Sequence, residues 1–124
     1  MSVSGWIGVD LDGTLAFYDG WKGESHIGDP VPEMLDRVKK WIADGVEVRI
    51  FTARVGVGNG FSSVSGFSDT LEFANKQTEY IQDWCEKHLG VRLKVTAQKD
   101  FAMVELWDDR CVQVIPNTGR PVTA

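Results

Sequence analysis

Asp10-Leu11-Asp12-Gly13-Thr14-Leu15 follows directly on the apolar run Trp6-Ile7-Gly8-Val9. Two carboxylates one residue apart at the end of a buried strand are costly, because a buried carboxylate needs a partner, a cation or a proton. Mg²⁺ meets that need, and it favours one or two carboxylates plus phosphate oxygens over a full protein cage. Two further apolar runs also end in polar residues: 46–51 in Thr52 and Arg54, and 103–107 in Asp108 and Asp109, with Lys99 just upstream. Each type suits phosphoryl transfer. An ordinary Asp titrates near ~4 and is a nucleophile without help from a base. Thr52 offers a hydroxyl and Lys99 a point charge to phosphate oxygens. Asp108 and Asp109 can hold Mg²⁺ with Asp10, and the metal screens the repulsion between an anionic nucleophile and an anionic phosphate. Phosphate-monoester hydrolysis needs accelerations up to ~10²¹, so electrostatic clamping of this kind must carry much of the load.

These groups have to be brought together by the elements between them. Residues 6–11 read as a strand buried on both faces. Residues 31–44 place Val31, Met34, Leu35, Val38, Trp41 and Ile42 on one helical stripe, with Pro32 in the first turn and Gly45 at the stop. Residues 46–51 give a second strand. A second helix spans 70–89, with Phe73, Ile81, Trp84, Cys85 and Leu89 inward and Gly90 closing it. Residues 93–95 and 103–107 are the next strands. This alternation predicts an α/β fold: a three-layer, Rossmann-like parallel sheet with helices on both faces. Only Asp108-Asp109-Arg110 separates residue 107 from a last strand at 111–115. That is too short for a parallel crossover, so a C-terminal antiparallel hairpin at the sheet edge is expected. In such a sheet, ligands bind beyond the carboxyl ends of the strands. By topology that edge gathers Asp10, Asp12, Thr52, Arg54, Asp108 and Asp109, and Lys99, just upstream of the last strand, is expected to converge with them.

At 124 residues and 43% hydrophobic, the chain is one domain with a proper core. Its net charge of −5 argues against affinity built on a nucleic-acid backbone. Two cysteines without paired spacing give neither a disulfide framework nor a zinc cluster; Cys85 with His88 makes half a zinc site. The start lacks a leader pattern and no run approaches membrane-spanning length, so a cytoplasmic protein is the default expectation.

The hexapeptide at 10–15 resembles the first motif of the haloacid dehalogenase-like superfamily. Thr52, Lys99 and Asp108-Asp109 match its second, third and fourth motifs in order, and the resemblance runs from residue 6 to 115. It implies a Mg²⁺-dependent phosphatase that works through an aspartyl-phosphate. Asp10 would be the nucleophile and Asp12 the general acid and base. Asp10, Asp108 and the backbone carbonyl of Asp12 would bind the metal, and Thr52 and Lys99 would hold the phosphoryl group. Asp109 would be a metal ligand, directly or through water, or would orient Lys99. Many members carry an inserted cap domain; this sequence reads as the single core domain over 1–124. The loops at 16–30 and 55–69 are then the lid candidates. An open site suits a large phosphorylated substrate, or one closed over by a partner subunit in a homodimer.

Other readings weigh less. A calcium loop beginning at Asp10 needs Gly at its sixth position and Glu at its twelfth; those are Leu15 and Trp21. Gly56-Val57-Gly58 lacks the last glycine of a dinucleotide fingerprint, where Phe61 stands. A phosphotransferase passing the group to an acceptor other than water, and a phosphate-binding regulatory module without turnover, are the alternatives to hydrolysis. Phe17, Tyr18 and Trp21 either stack on a base or sugar or pack their loop. Trp41 and Trp84 fall on inward stripes as core residues. Arg54 either binds substrate phosphate or pairs with a carboxylate. His26 has no sequence partner and reads as a loop residue, and Arg110 reads as a turn residue. Nucleotides, sugar phosphates, phosphorylated nucleic-acid ends and phosphoproteins all fit the chemistry.

Overall fold

A computed structural model describes residues 4–57 and 70–123. Four strands and two helices alternate along the chain: β1 (Trp6–Val9), α1 (Pro32–Ala43), β2 (Glu47–Phe51), a 3₁₀ turn (Ala53–Val55), α2 (Leu71–Leu89), β3 (Lys94–Thr96) and β4 (Met103–Trp107). The sheet order is β3-β2-β1-β4, and every pairing is parallel. This is the α/β, Rossmann-like architecture the alternation predicts.

Local chemistry sets the element ends. Pro32 opens α1, where its missing N–H costs nothing. Thr70 caps α2 by accepting from the Phe73 N–H, and Gly90 closes it at φ +80, a left-handed cap that a Cβ would strain. No helix among the described residues is long and apolar enough to cross a membrane.

Side chains alternate across the strands, and the two faces of the sheet differ. Ile7, Val9, Val48 and Ile50 point into one core with Met34 and Val38 of α1 and Ile81, Trp84 and Cys85 of α2. Trp84 is buried and Trp41 packs against this cluster, so both sit where their helical stripes predict. Both described helices therefore share one face, where the sequence predicts helices on both. Each βαβ crossover steps in the same direction across the sheet, and the usual hand then puts both helices on the same side. The third connection, residues 97–102, contains no helix to cover the other side. There Arg49 stacks on Trp6, its guanidinium carbon 4.4 Å from the ring centroid, and Asp100 accepts from Trp6 Nε1 at 2.8 Å.

The C-terminal segment also differs from expectation. Residues 111–115 form no strand against β4. Val114 instead bridges Pro121, with Ile115 N–H donating to the Arg120 carbonyl and Val122 N–H to that of Gln113. The Pro116-Asn117-Thr118-Gly119 turn closes this small hairpin, with Asn117 at φ +64 and Gly119 at φ +72. The segment pairs with itself, and β4 is left as the sheet edge.

Candidate functional site

The carboxyl ends of β1 and β4 lie side by side because Asp10 N–H donates to the Trp107 carbonyl at 2.9 Å, one step past the last strand pair. After Asp10 the chain winds tightly. Ala16 N–H donates to the Leu11 carbonyl and Gly13 N–H to that of Ala16, both at 2.8 Å. Gly13 has φ +90, and a Cβ built there would sit 2.5 Å from Asp109 Oδ2. Glycine is therefore required twice, for the turn and for the close approach of the Asp109 carboxylate. Thr14 fastens the two ends together. Its hydroxyl oxygen accepts from Asp109 N–H at 3.1 Å, and its one proton can serve either Asp109 Oδ1 at 3.3 Å or Asp10 Oδ2 at 3.4 Å.

Asp10, Asp108 and Asp109 each present an oxygen, and these oxygens lie within 4.8 Å of one another. Three hard carboxylate donors at that spacing fit a small divalent cation. Without a cation the crowding raises the Asp10 carboxyl from its ordinary 3.8 to about 8; burial contributes most, followed by the Asp108 and Asp109 carboxylates and then Asp12. The expectation of a nucleophile ionised like any aspartate thus fails for the metal-free protein. A cation bound here would favour the ionised form that nucleophilic attack requires.

The Asp12 side chain is near enough for its charge to act on Asp10 but is not a member of this triad. Arg54 Nε donates to its Oδ2 at 2.7 Å and Nη2 to its Oδ1 at 2.8 Å. Arg54 thus pairs with a carboxylate and is not free to bind substrate phosphate. Thr52, at the end of β2, is buried, and its hydroxyl oxygen caps the 3₁₀ turn by accepting from Arg54 N–H at 3.1 Å. Its donor proton is the part suited to a phosphate oxygen. Lys99 is not brought to the crevice. It is exposed in the 97–102 connection, next to the Asp100 that bonds Trp6 at the start of β1. No ion pair links Lys99 to the site carboxylates among the described residues. The reason is topological: this connection must run from the carboxyl end of β3 to the amino end of β4, so it leaves the carboxyl edge of the sheet.

The loop at 16–30 is a flap with a closed neck. Ala16 bridges Pro30, and Phe17 N–H donates to the Asp29 carbonyl at 2.8 Å. Trp84 Nε1 ties its far strand through the Gly28 carbonyl at 3.0 Å. Phe17 and Tyr18 are exposed, whereas Trp21 lies under the Arg54 guanidinium at 4.9 Å. His26 contributes its backbone carbonyl, which accepts from Arg54 Nη2 at 2.9 Å. Most of the second lid candidate, residues 58–69, lies outside the described residues. The half zinc site does not form: Cys85 is buried, His88 stacks on Trp84, and the Asp triad is the one metal-capable cluster among the described residues.

Gln77 is the site residue that sequence reasoning missed. It is fully buried, accepts from Arg54 Nη1 at 3.1 Å and donates to the Glu24 carbonyl at 2.6 Å. The signal was available, since Gln77 falls three residues after Ala74 and four before Ile81 on the inward stripe of α2.

No family model matches the sequence, and no curated protein is similar to it. A solved structure described as a conserved protein coded by a locus from Bacteroides thetaiotaomicron is similar in fold. It is 17% identical, with a TM-score of 0.55, over 93% of this chain and 84% of that one.

Proposed function

We propose that the protein is a Mg²⁺-dependent phosphatase of the haloacid dehalogenase-like type, hydrolysing a phosphate monoester through an aspartyl-phosphate on Asp10. One observation carries the reading: three carboxylates converge at the carboxyl edge of a parallel sheet, and the one ending β1 is held in a state that only a proton or a cation relieves. The donor set fits Mg²⁺, with Asp10, Asp108 and Asp109 as the residues that would hold it; the ion would supply charge neutralisation for the phosphate.

Asp10 Oδ attacks phosphorus, the ester P–O bond breaks, and the leaving oxygen takes a proton from Asp12. Water then attacks the same phosphorus and gives its proton to Asp12, and the bond to Asp10 breaks to release inorganic phosphate. Thr52 would donate to a phosphate oxygen. Lys99 has no part in this scheme, and its position lends weight to a second reading, a metal- and phosphate-binding module without turnover. The exposed Phe17 and Tyr18 of the flap favour a substrate with a base or sugar, such as a nucleotide or a phosphorylated nucleic-acid end.

Mg²⁺-dependent release of phosphate from a panel of nucleotides, sugar phosphates and phosphorylated oligonucleotide ends tests the proposal. Turnover that vanishes in Asp10→Asn, with the fold retained, is the expected result. Phosphate binding without release, in parent and variant alike, selects the module reading.

A further inference from the structure

Arg54 is 4% exposed, and every guanidinium nitrogen has a partner. Nε and Nη2 form a fork on the two oxygens of Asp12, at 2.7 and 2.8 Å. Nη2 also donates to the His26 carbonyl of the flap at 2.9 Å. Nη1 donates to Gln77 Oε1 at 3.1 Å, and Gln77 Nε2 reaches the Glu24 carbonyl of the same flap at 2.6 Å. The Trp21 ring, also in the flap, lies 4.9 Å from the guanidinium carbon. Apart from Asp12, each of these contacts ends in the flap, directly or through Gln77.

Burying a guanidinium is expensive unless its donors are all used, and neutralising Asp12 alone would need only the fork. Of the other donors, one goes to the His26 carbonyl of the flap and one to Gln77, which itself holds the Glu24 carbonyl. A planar group fixed on three sides cannot rotate without turning the carboxylate plane it grips. A carboxylate has about four acceptor positions and the fork takes two, so two stay open while its orientation is fixed.

We propose that Arg54 is a positioning residue: it orients Asp12 beside the nucleophile only while the flap at 16–30 is seated, so that flap closure and the readiness of the proton-transfer group are a single event. The catalytic half of this inference rests on the phosphatase reading, and the mechanical half stands without it.

Three variants of the full chain, Asp12→Asn, Gln77→Leu and Arg54→Lys, test it with two measurements. Backbone hydrogen exchange reads the mechanical half. All three variants should speed exchange severalfold at residues 17–29, the Phe17 amide included, and leave β1 and β2 unchanged. Asp12→Asn is decisive, because its carboxylate reaches the flap through Arg54. Flap exchange equal to the parent's in Asp12→Asn and Gln77→Leu overturns the coupling whether or not the chain turns anything over.

Steady-state kinetics on two esters reads the catalytic half. A nitrophenyl phosphate releases a stable anion, whereas an alkyl phosphate needs a proton on its leaving oxygen. A general acid contributes about 10²–10⁴ in rate only where that proton matters. Gln77→Leu and Arg54→Lys should therefore lower kcat/KM, which reports the step that expels the leaving group and not the later hydrolysis common to both esters, far more on the alkyl ester than on the aryl ester. An equal loss on both esters, or a raised KM alone, overturns positioning in favour of general disruption or phosphate binding. If Arg54→Lys does not fold, Gln77→Leu carries both measurements. A parent that releases no phosphate from either ester sinks the phosphatase reading, and the exchange result then decides the clamp alone.

Discussion

Asp10 is held by burial and by its carboxylate neighbours at about 8, against 3.8 for an ordinary aspartate. Between those values the folded chain keeps a proton that the unfolded chain has lost. Stability from this group is therefore complete below about pH 4 and drains away as the pH rises through about 8. In metal-free buffer, thermal melting of the parent should fall across that window. Asp10→Asn, which carries no titrating proton there, should flatten the profile and melt higher than the parent at pH 8. A parallel decline in both proteins would remove Asp10 as the source. Mg²⁺ at pH 8 should raise the melting temperature of the parent and have little effect on Asp10→Asn. Asp12 answers to a different neighbour. Its partner is the Arg54 fork, so two carboxylates separated by one residue meet different groups, Asp10 the acids Asp108 and Asp109 and Asp12 a guanidinium.

The turn at 10–16 is the element that makes the site, because it delivers Asp10 from β1 to the end of β4 and leaves no room for a side chain at Gly13. Gly13→Ala should lose about 1–3 kcal/mol in urea unfolding through its positive φ. It should also weaken Mg²⁺ binding, since the new methyl group displaces Asp109. Gly45→Ala is the control. Gly45 has φ +81 but nothing within 4 Å of its built Cβ, so it should show the backbone cost alone. Equal Mg²⁺ affinity in the two variants would mean that Asp109 is no ligand. The flap is the second element that matters, held at its neck by Ala16 and Pro30 and on its inner side by Arg54, Gln77 and Trp84.

For the molecule as a whole, a cation that binds only the native state adds RT ln(1 + [L]/Kd), about 2.7 kcal/mol at a hundredfold excess over Kd. For a chain of this length that corresponds to a rise in melting temperature of about 10 °C. Calorimetry with Mg²⁺ and with chelator measures it, and identical curves would discard the metal site. Because both described helices cover one face, the molecule has a closed side with a continuous core and an opposite side built from Trp6, Arg49 and Asp100. The site lies at the edge between them, fed by the ends of β1, β2 and β4.

The sequence by itself determined the alternation of strands and helices, the helix stops and the carboxylates at the strand ends. Those depend on apolar period, capping and spacing within a few residues, which local physics decides. Only the tertiary structure decided who meets whom. Arg54 finds Asp12 across 42 positions, and Gln77 becomes a linker because the inward stripe of α2 meets a flap that begins 61 residues earlier, at Ala16. Lys99 has a suitable side chain and a suitable place in the sequence, yet its connection crosses to the other end of the sheet. The last residues carry strand-like alternation that no local rule assigns to a partner, and they pair with each other. Each of these outcomes depends on which backbone edges and faces lie adjacent after folding, and no window of neighbouring residues contains that information.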